Sequence, residues 1–166
     1  KMLRSDDEQS IRDMSNLASK MGDYHLFELL CRRLCKLNPE NLVYKNTLAN
    51  AMKDLGNYTE AEKMFRENLE AFTKTLGKLN PDTLSTLNNL AIVVMNQGNC
   101  AGAEMLLREC LEARKKTLGE MHSDTLSTFM NLANAVYFQG KNAEAQKRYR
   151  ECWEAYKKTL GDTHRE

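Results

Sequence analysis

Histidines, cysteines and paired carboxylates are the side chains from which an active site or a metal centre is built, and this chain carries 3 His, 5 Cys and 23 Asp+Glu. Their spacing argues against both uses. His122 and His164 lie 42 residues apart, at matching places where a helix is expected to begin, which is a structural explanation for the pair. His25 stands alone beside an expected turn. Cys31 and Cys35 are four apart on one expected helix without a His, Asp or Glu at ligand spacing, and Cys110 and Cys152 fill small-residue positions where helices approach closely. Glu60 with Glu62, and Glu67 with Glu70, read as solvated helix faces rather than as a convergent acid and base. The expectation is a protein that is not an enzyme and holds neither metal nor cofactor. Asparagine offers a different chemistry. Its amide has two donors and an accepting oxygen, so it can pair with a peptide N–H and C=O together, whatever the peptide's side chains.

The elements that would position these residues follow from an internal repeat. Thr75-Leu76-Gly77 recurs as Thr117-Leu118-Gly119 and Thr159-Leu160-Gly161, and residues 75–116 match 117–158 at 23 of 42 positions. The same frame reaches back to 33–74, with Gly56, Gly98 and Gly140 in register. Apolar residues fall three and four apart on both sides of each glycine, as in Leu87, Leu90, Ala91 and Val94, then Ala103, Leu107 and Cys110, so each unit is an amphipathic helix pair. A further unit precedes these with a 34-residue step from Gly22 to Gly56, which predicts a second helix shorter by about two turns. Asn38-Pro39 and Asn80-Pro81 are expected to open helices as N-cap followed by proline, with His122-Ser123 in their place in the next unit. Helices are predicted at 7–21, 24–37, 40–55, 58–76, 82–97, 100–118, 124–139 and 142–160. Each second helix should end at Gly77, Gly119 or Gly161.

Composition excludes several classes. A net charge of +1 provides no single-signed field to draw in nucleic acid or an anionic membrane. The longest apolar run, Leu90 to Met95, is far short of the roughly 20 residues of a membrane helix. The odd number of cysteines, without a close-spaced framework, favours reduced thiols in an intracellular compartment, and a cytoplasmic location is expected.

The pattern of Leu90, Ala91, Val94, Gly98, Ala103, Leu107 and Cys110, repeated as Leu132, Ala133, Val136, Gly140, Ala145, Tyr149 and Cys152, resembles the tetratricopeptide repeat. The 42-residue form with Thr-Leu-Gly, Pro-Asp-Thr and Leu-Asn-Asn-Leu-Ala is similar to the kinesin light chain and nephrocystin type of array. That resemblance implies an all-α fold, a right-handed superhelical α-solenoid of four stacked helix-turn-helix units. The expected units are 7–38, 39–80, 81–122 and 123–161 within a single array over 1–166, read as a piece of a longer protein. Cys100 and Asn142 stand where the family usually has an aromatic residue after the turn glycine, and no heptad segment joins the chain to a motor heavy chain.

The resemblance further implies that the first helix of each pair lines a concave groove. Counting back from each glycine by the family's register gives the candidate peptide-binding residues Arg12, Asn16, Asn46, Asn50, Lys53, Asn88, Ile92, Met95, Met130, Asn134, Tyr137 and Phe138. By the same resemblance, Asn46, Asn50, Asn88 and Asn134 would clamp a peptide backbone. The alternative use of such an asparagine is a bond to the neighbouring helix, for which Asn89 and Asn131 are better placed. The row runs from basic residues to apolar ones, matching a protein or peptide partner with an acidic part and an apolar anchor, or an apolar end that is covered by other protein. By resemblance to chaperone-tail receptors, their carboxylate clamp is not matched: Arg12 and Asn16 are followed by Thr47 where a second asparagine belongs, and by Ser85 and Asn89 where the cationic pair belongs. A structural spacer or self-assembly element is the other reading, using its ends and its last helix, where Tyr149, Trp153 and Tyr156 call for cover.

Overall fold

A computed structural model of the chain describes the backbone of residues 2–163 and the side-chain environments of 7–159. The described residues form eight helices and no strand: α1 (Met2–Met21), α2 (Tyr24–Leu37), α3 (Leu42–Asp54), α4 (Tyr58–Leu76), α5 (Pro81–Asn96), α6 (Cys100–Leu118), α7 (Ser123–Phe138) and α8 (Asn142–Thr163). They belong to two compact units, Lys1–Phe72 and Thr73–Glu166.

In the first unit α1 packs on α2 and α2 on α3. Its core is made of Phe27, Leu30, Cys31 and Leu34 from α2 with Tyr44, Leu48, Ala51 and Met52 from α3, all buried. In the second unit α5 packs on α6, α6 on α7 and α7 on α8, with α5 also touching α7. Leu90, Leu107, Leu132 and Val136 are its large buried residues, each contributing about 1.5–3 kcal/mol by removal from water. Ala91 and Ala103, and again Ala133 and Ala145, are buried at the positions where paired helices must come close.

The turns show why the repeat keeps its glycines. Gly98 has φ +90, a left-handed backbone that costs a residue with a Cβ, and its N–H bonds the Met95 carbonyl at 2.9 Å to close α5. Asn99 then caps α6 by accepting from the Gly102 N–H at 2.9 Å.

Asn80-Pro81 opens α5 as expected, and His122 caps α7, its Nδ1 accepting from the Asp124 N–H at 3.1 Å. Asn38-Pro39 does not open α3. Asn38 ends α2 through its N–H to the Leu34 carbonyl, and Asn41 is the N-cap, its side chain accepting from Val43 and Tyr44. Two asparagines stand within reach of this helix start, and the one whose oxygen meets two N–H groups wins. The short first step is likewise not a matter of the second helix alone: α2 has 14 residues against 19 in α4 and α6, but α3 also has 13 against 16 in α5. The last helix does not stop at Gly161 but runs to Thr163, since glycine permits a left-handed turn without imposing one. His164 lies outside the described residues.

Candidate functional site

In the first unit the candidate residues lie on α1 and α3, where Arg12, Asn50 and Lys53 are tied up in polar contacts. The Arg12 guanidinium donates to the Tyr44 hydroxyl at 2.8 Å, pairs with Glu8 at 3.3 Å and lies 5.7 Å from the centre of the Tyr44 ring. Tyr44 in turn donates to Glu8. That bond, more than Arg12, holds the Glu8 carboxyl below the ordinary range, while burial and then the same bond push the Tyr44 hydroxyl up. Asn16 is exposed. Asn50 is half-buried, its Nδ2 donating to the Asn46 carbonyl at 3.2 Å and its Oδ1 accepting from Lys53 at 3.3 Å. Lys53 also pairs with Asp54 at 3.4 Å. Asn46 is half-buried.

In the second unit the candidates lie on α5 and α7, which touch. Asn131 donates to the Asn88 side-chain oxygen at 3.2 Å, so Asn131 bonds the neighbouring helix as its position implies, and Asn88, itself buried, is its acceptor. Asn134 accepts from the Tyr149 hydroxyl at 2.7 Å, which leaves its two N–H donors out of that contact. Met95 is buried, Ile92 and Met130 are half-buried, and Tyr137 and Phe138 are exposed with ring centres 5.6 Å apart in an edge arrangement. Met130, Asn134, Tyr137 and Phe138 follow one another at helical spacing, so a single face of α7 carries the amide and both rings.

Two clusters escaped the sequence reading. Arg114 on α6 is only 5% exposed and donates to neutral oxygens, the Asp124 carbonyl at 2.8 Å, Thr128 Oγ1 at 2.7 Å and Ser85 Oγ at 3.1 Å, thereby joining α5, α6 and α7. Its signal was an exception in the repeat: the same position holds Phe72 in one unit and Tyr156 in another. Glu104, 9% exposed, accepts from Gln139 at 2.7 Å, Arg108 at 2.9 Å and Lys141 at 3.2 Å. Burial acts to raise its pKa, but these three donors outweigh burial and hold it at about 2.

The thiols are held as packing groups. Burial pushes the Cys31 thiol up to about 12 and raises Cys110 and Cys152 as well, and the Cys110 thiol donates to the Leu84 carbonyl at 3.3 Å. Among the described residues no three His, Cys, Asp or Glu side chains come together as metal ligands would. No helix among them is long and apolar enough to cross a membrane.

Paired antiparallel helices recurring in one register define the class: an all-α helical-repeat solenoid. The chain belongs to the tetratricopeptide repeat family, whose model matches residues 40–116 and again 82–158. No curated protein matches it in sequence. Among solved structures it is similar to a variant of a Podosopora anserina protein of kinesin light chain type with nearly identical TPR-like repeats, at 22% identity and a TM-score of 0.76 over 92% of this chain and 76% of that one. It is also similar to BtubC (BKLC) from P. vanneervenii, at 20% identity and a TM-score of 0.77 over 90% of this chain and 62% of that one. The apo form of RapI matches at 17% identity and a TM-score of 0.77, over 94% of this chain and 58% of the other. Tetratricopeptide repeats are protein-interaction modules, and the fold is generally a non-catalytic scaffold.

Proposed function

We propose that this chain is a protein-interaction module, with an adaptor or scaffold role, that binds a peptide or helical segment of a partner along the faces of its first helices. The observation that carries this reading is the α7 face on which exposed Tyr137 and Phe138 share a side of the helix with Asn134, while α5, which α7 touches, carries half-buried Ile92. Exposed aromatic rings beside amide donors are what an apolar anchor with an adjoining backbone would require. The first unit, taken by itself, carries Arg12, Asn16, Asn50 and Lys53 on α1 and α3, donors that suit an acidic segment. Asn50 and Lys53 would have to exchange contacts within their own helix for contacts to the ligand, and ordering a flexible peptide also opposes binding, so affinity is of micromolar order.

The test is a peptide display selection on the purified chain, with the Asn50→Ala/Asn134→Ala variant as control. A shared motif with acidic and apolar positions, lost in the variant while its helicity and melting temperature are unchanged, supports peptide reading. No enriched motif, or enrichment indifferent to the substitutions, overturns it.

A further inference from the structure

Ser85, Asn88 and Asn134, on the first helices of the second unit, each have their oxygen engaged from within the unit. Ser85 Oγ accepts from the Arg114 guanidinium at 3.1 Å, Asn88 Oδ1 from the Asn131 amide at 3.2 Å, and Asn134 Oδ1 from the Tyr149 hydroxyl at 2.7 Å. The three supports are a cation, an amide and a phenol, and they come from α6, α7 and α8 in turn, so no single repeated contact produces the pattern. What stays out of these contacts is in every case a donor, an O–H at Ser85 and N–H groups at the two asparagines.

The second feature is the pair of rings. Phe138 lies one turn beyond Asn134 on the same side of α7 and is exposed. Its counterpart one repeat earlier, Asn96 of α5, is exposed as well, so this openness belongs to the position in the repeat. Tyr137 is exposed beside it, the two ring centres 5.6 Å apart. A carboxylate would meet the donors but leave the rings uncovered. An aliphatic residue would cover the rings, but its backbone N–H would meet oxygens that are already engaged. Proline does both: its carbonyl accepts, it has no N–H, and its ring packs on an aromatic one.

We propose that the α5 and α7 face selects a proline-rich segment in the polyproline II conformation, its rings lying on Phe138 and Tyr137 and its carbonyls accepting from Asn134 and Ser85. Asn134 and Ser85 are half-buried and within a ligand's reach, whereas Asn88 is buried. Arg114 and Tyr149 are positioning residues, which act on the ligand by holding the oxygens of Ser85 and Asn134. The proposal rests on the peptide-reading function above and names the class of its apolar anchor.

The probe is a capped decaproline peptide, with a capped glycine-serine peptide of equal length as reference, each titrated into the full chain by calorimetry. Decaproline is expected to bind saturably and more tightly than the reference. Phe138→Ala weakens it roughly tenfold or more, with helicity and melting temperature unchanged because the ring is exposed. Asn134→Asp keeps an oxygen for Tyr149 but removes the N–H donors, and weakens it several-fold. Tyr149→Phe releases the Asn134 oxygen and narrows the preference for decaproline over the reference, a change in selectivity that lost packing alone would not produce. Decaproline that fails to bind, binds no better than the reference, or binds regardless of Phe138→Ala and Asn134→Asp overturns the proposal. If the display selection then returns a proline-free motif that needs Asn134, the proline preference falls alone; if it returns no motif, the peptide reading falls with it.

Discussion

On α1 and α3 the first-helix rows hold Arg12, Asn16, Asn46, Asn50 and Lys53, and on α5 and α7 the same rows hold Asn88, Ile92, Met95, Met130, Asn134, Tyr137 and Phe138. In the first set Arg12, Asn50 and Lys53 spend their hydrogen-bonding groups on neighbours, as in the chain from Glu8 through Arg12 to Tyr44. The second hides its polar groups in cross-helix bonds, as in Asn131 to Asn88, and turns aromatic rings outward. The repeat therefore fixes where a side chain stands and leaves its chemistry free. A shared backbone register can present a polar face in one unit and an apolar one in the other.

The contrast is sharpest for two arginines, and breaking them gives the largest expected effect. Arg114 is buried and joins three helices, so Arg114→Ala takes a donor from the Thr128 and Ser85 hydroxyls and one of two side-chain donors from the Asp124 carbonyl, which keeps Thr128 Oγ1, and opens a cavity, costing about 2–4 kcal/mol. Arg12 is half-exposed at its side chain, and Arg12→Ala should cost about 1 kcal/mol or less. Urea unfolding of both variants checks the ratio, with hydrogen exchange showing the Arg114 loss confined to α5, α6 and α7. Equal losses would mean that the polar network of the first unit supports the fold as much as the buried guanidinium of the second.

Binding should divide along the same line. Tyr137→Ala with Phe138→Ala is expected to reduce affinity for a selected peptide by roughly 10–100-fold, while Asn50→Ala, whose amide already has partners, reduces it only a few-fold, as titration calorimetry would measure. Both rings are exposed, so the melting temperature should hold. The reverse order of effects would shift recognition to the polar face.

The helix order was legible because a 42-residue step repeats turn glycine, apolar spacing and caps together, each reinforcing the others. Asn38 misled because Asn41 is an equally good cap, and the choice rests on which oxygen meets Val43 and Tyr44. The candidate rows were legible by position, not by state. Nothing local in the sequence says that Asn88 is an acceptor for Asn131 or that Asn134 meets Tyr149, because those pairings cross from one helix to another. Arg114 and Glu104 were hidden for a similar reason: charged residues on a helix read as solvated until the donors and acceptors of the next helix are in place.

Glu104 makes the second unit sensitive to acid. Burial raises its pKa, but the bonds from Gln139, Arg108 and Lys141 prevail and lower it from 4.5 to about 2. A carboxyl whose pKa is lower folded than unfolded stabilises fully above about pH 4.5 and loses that contribution as pH falls through about 2. The melting temperature should therefore decline more steeply between those limits in the wild type than in Glu104→Gln. In the first unit Glu8 is also held low, chiefly by Tyr44, but its side chain is more exposed than that of Glu104, and Glu8→Gln should change the slope less.

The smallest effect is the most discriminating about asparagine. Asn131→Ala removes the 3.2 Å bond to Asn88 and should cost about 0.5–1.5 kcal/mol of stability. The freed Asn88 oxygen lies in a buried residue, so little water reaches it and a bound peptide gains little from it. Peptide affinity should then be unchanged in Asn131→Ala. Asn134→Ala should do the opposite, removing donors from the ligand face while the Tyr149 hydroxyl, only half-buried, turns to water. Paired melting and titration measurements on the two variants separate asparagines that hold helices together from those that read a partner. Should Asn131→Ala weaken binding as much as Asn134→Ala does, the cross-helix bond would itself be part of the recognition surface.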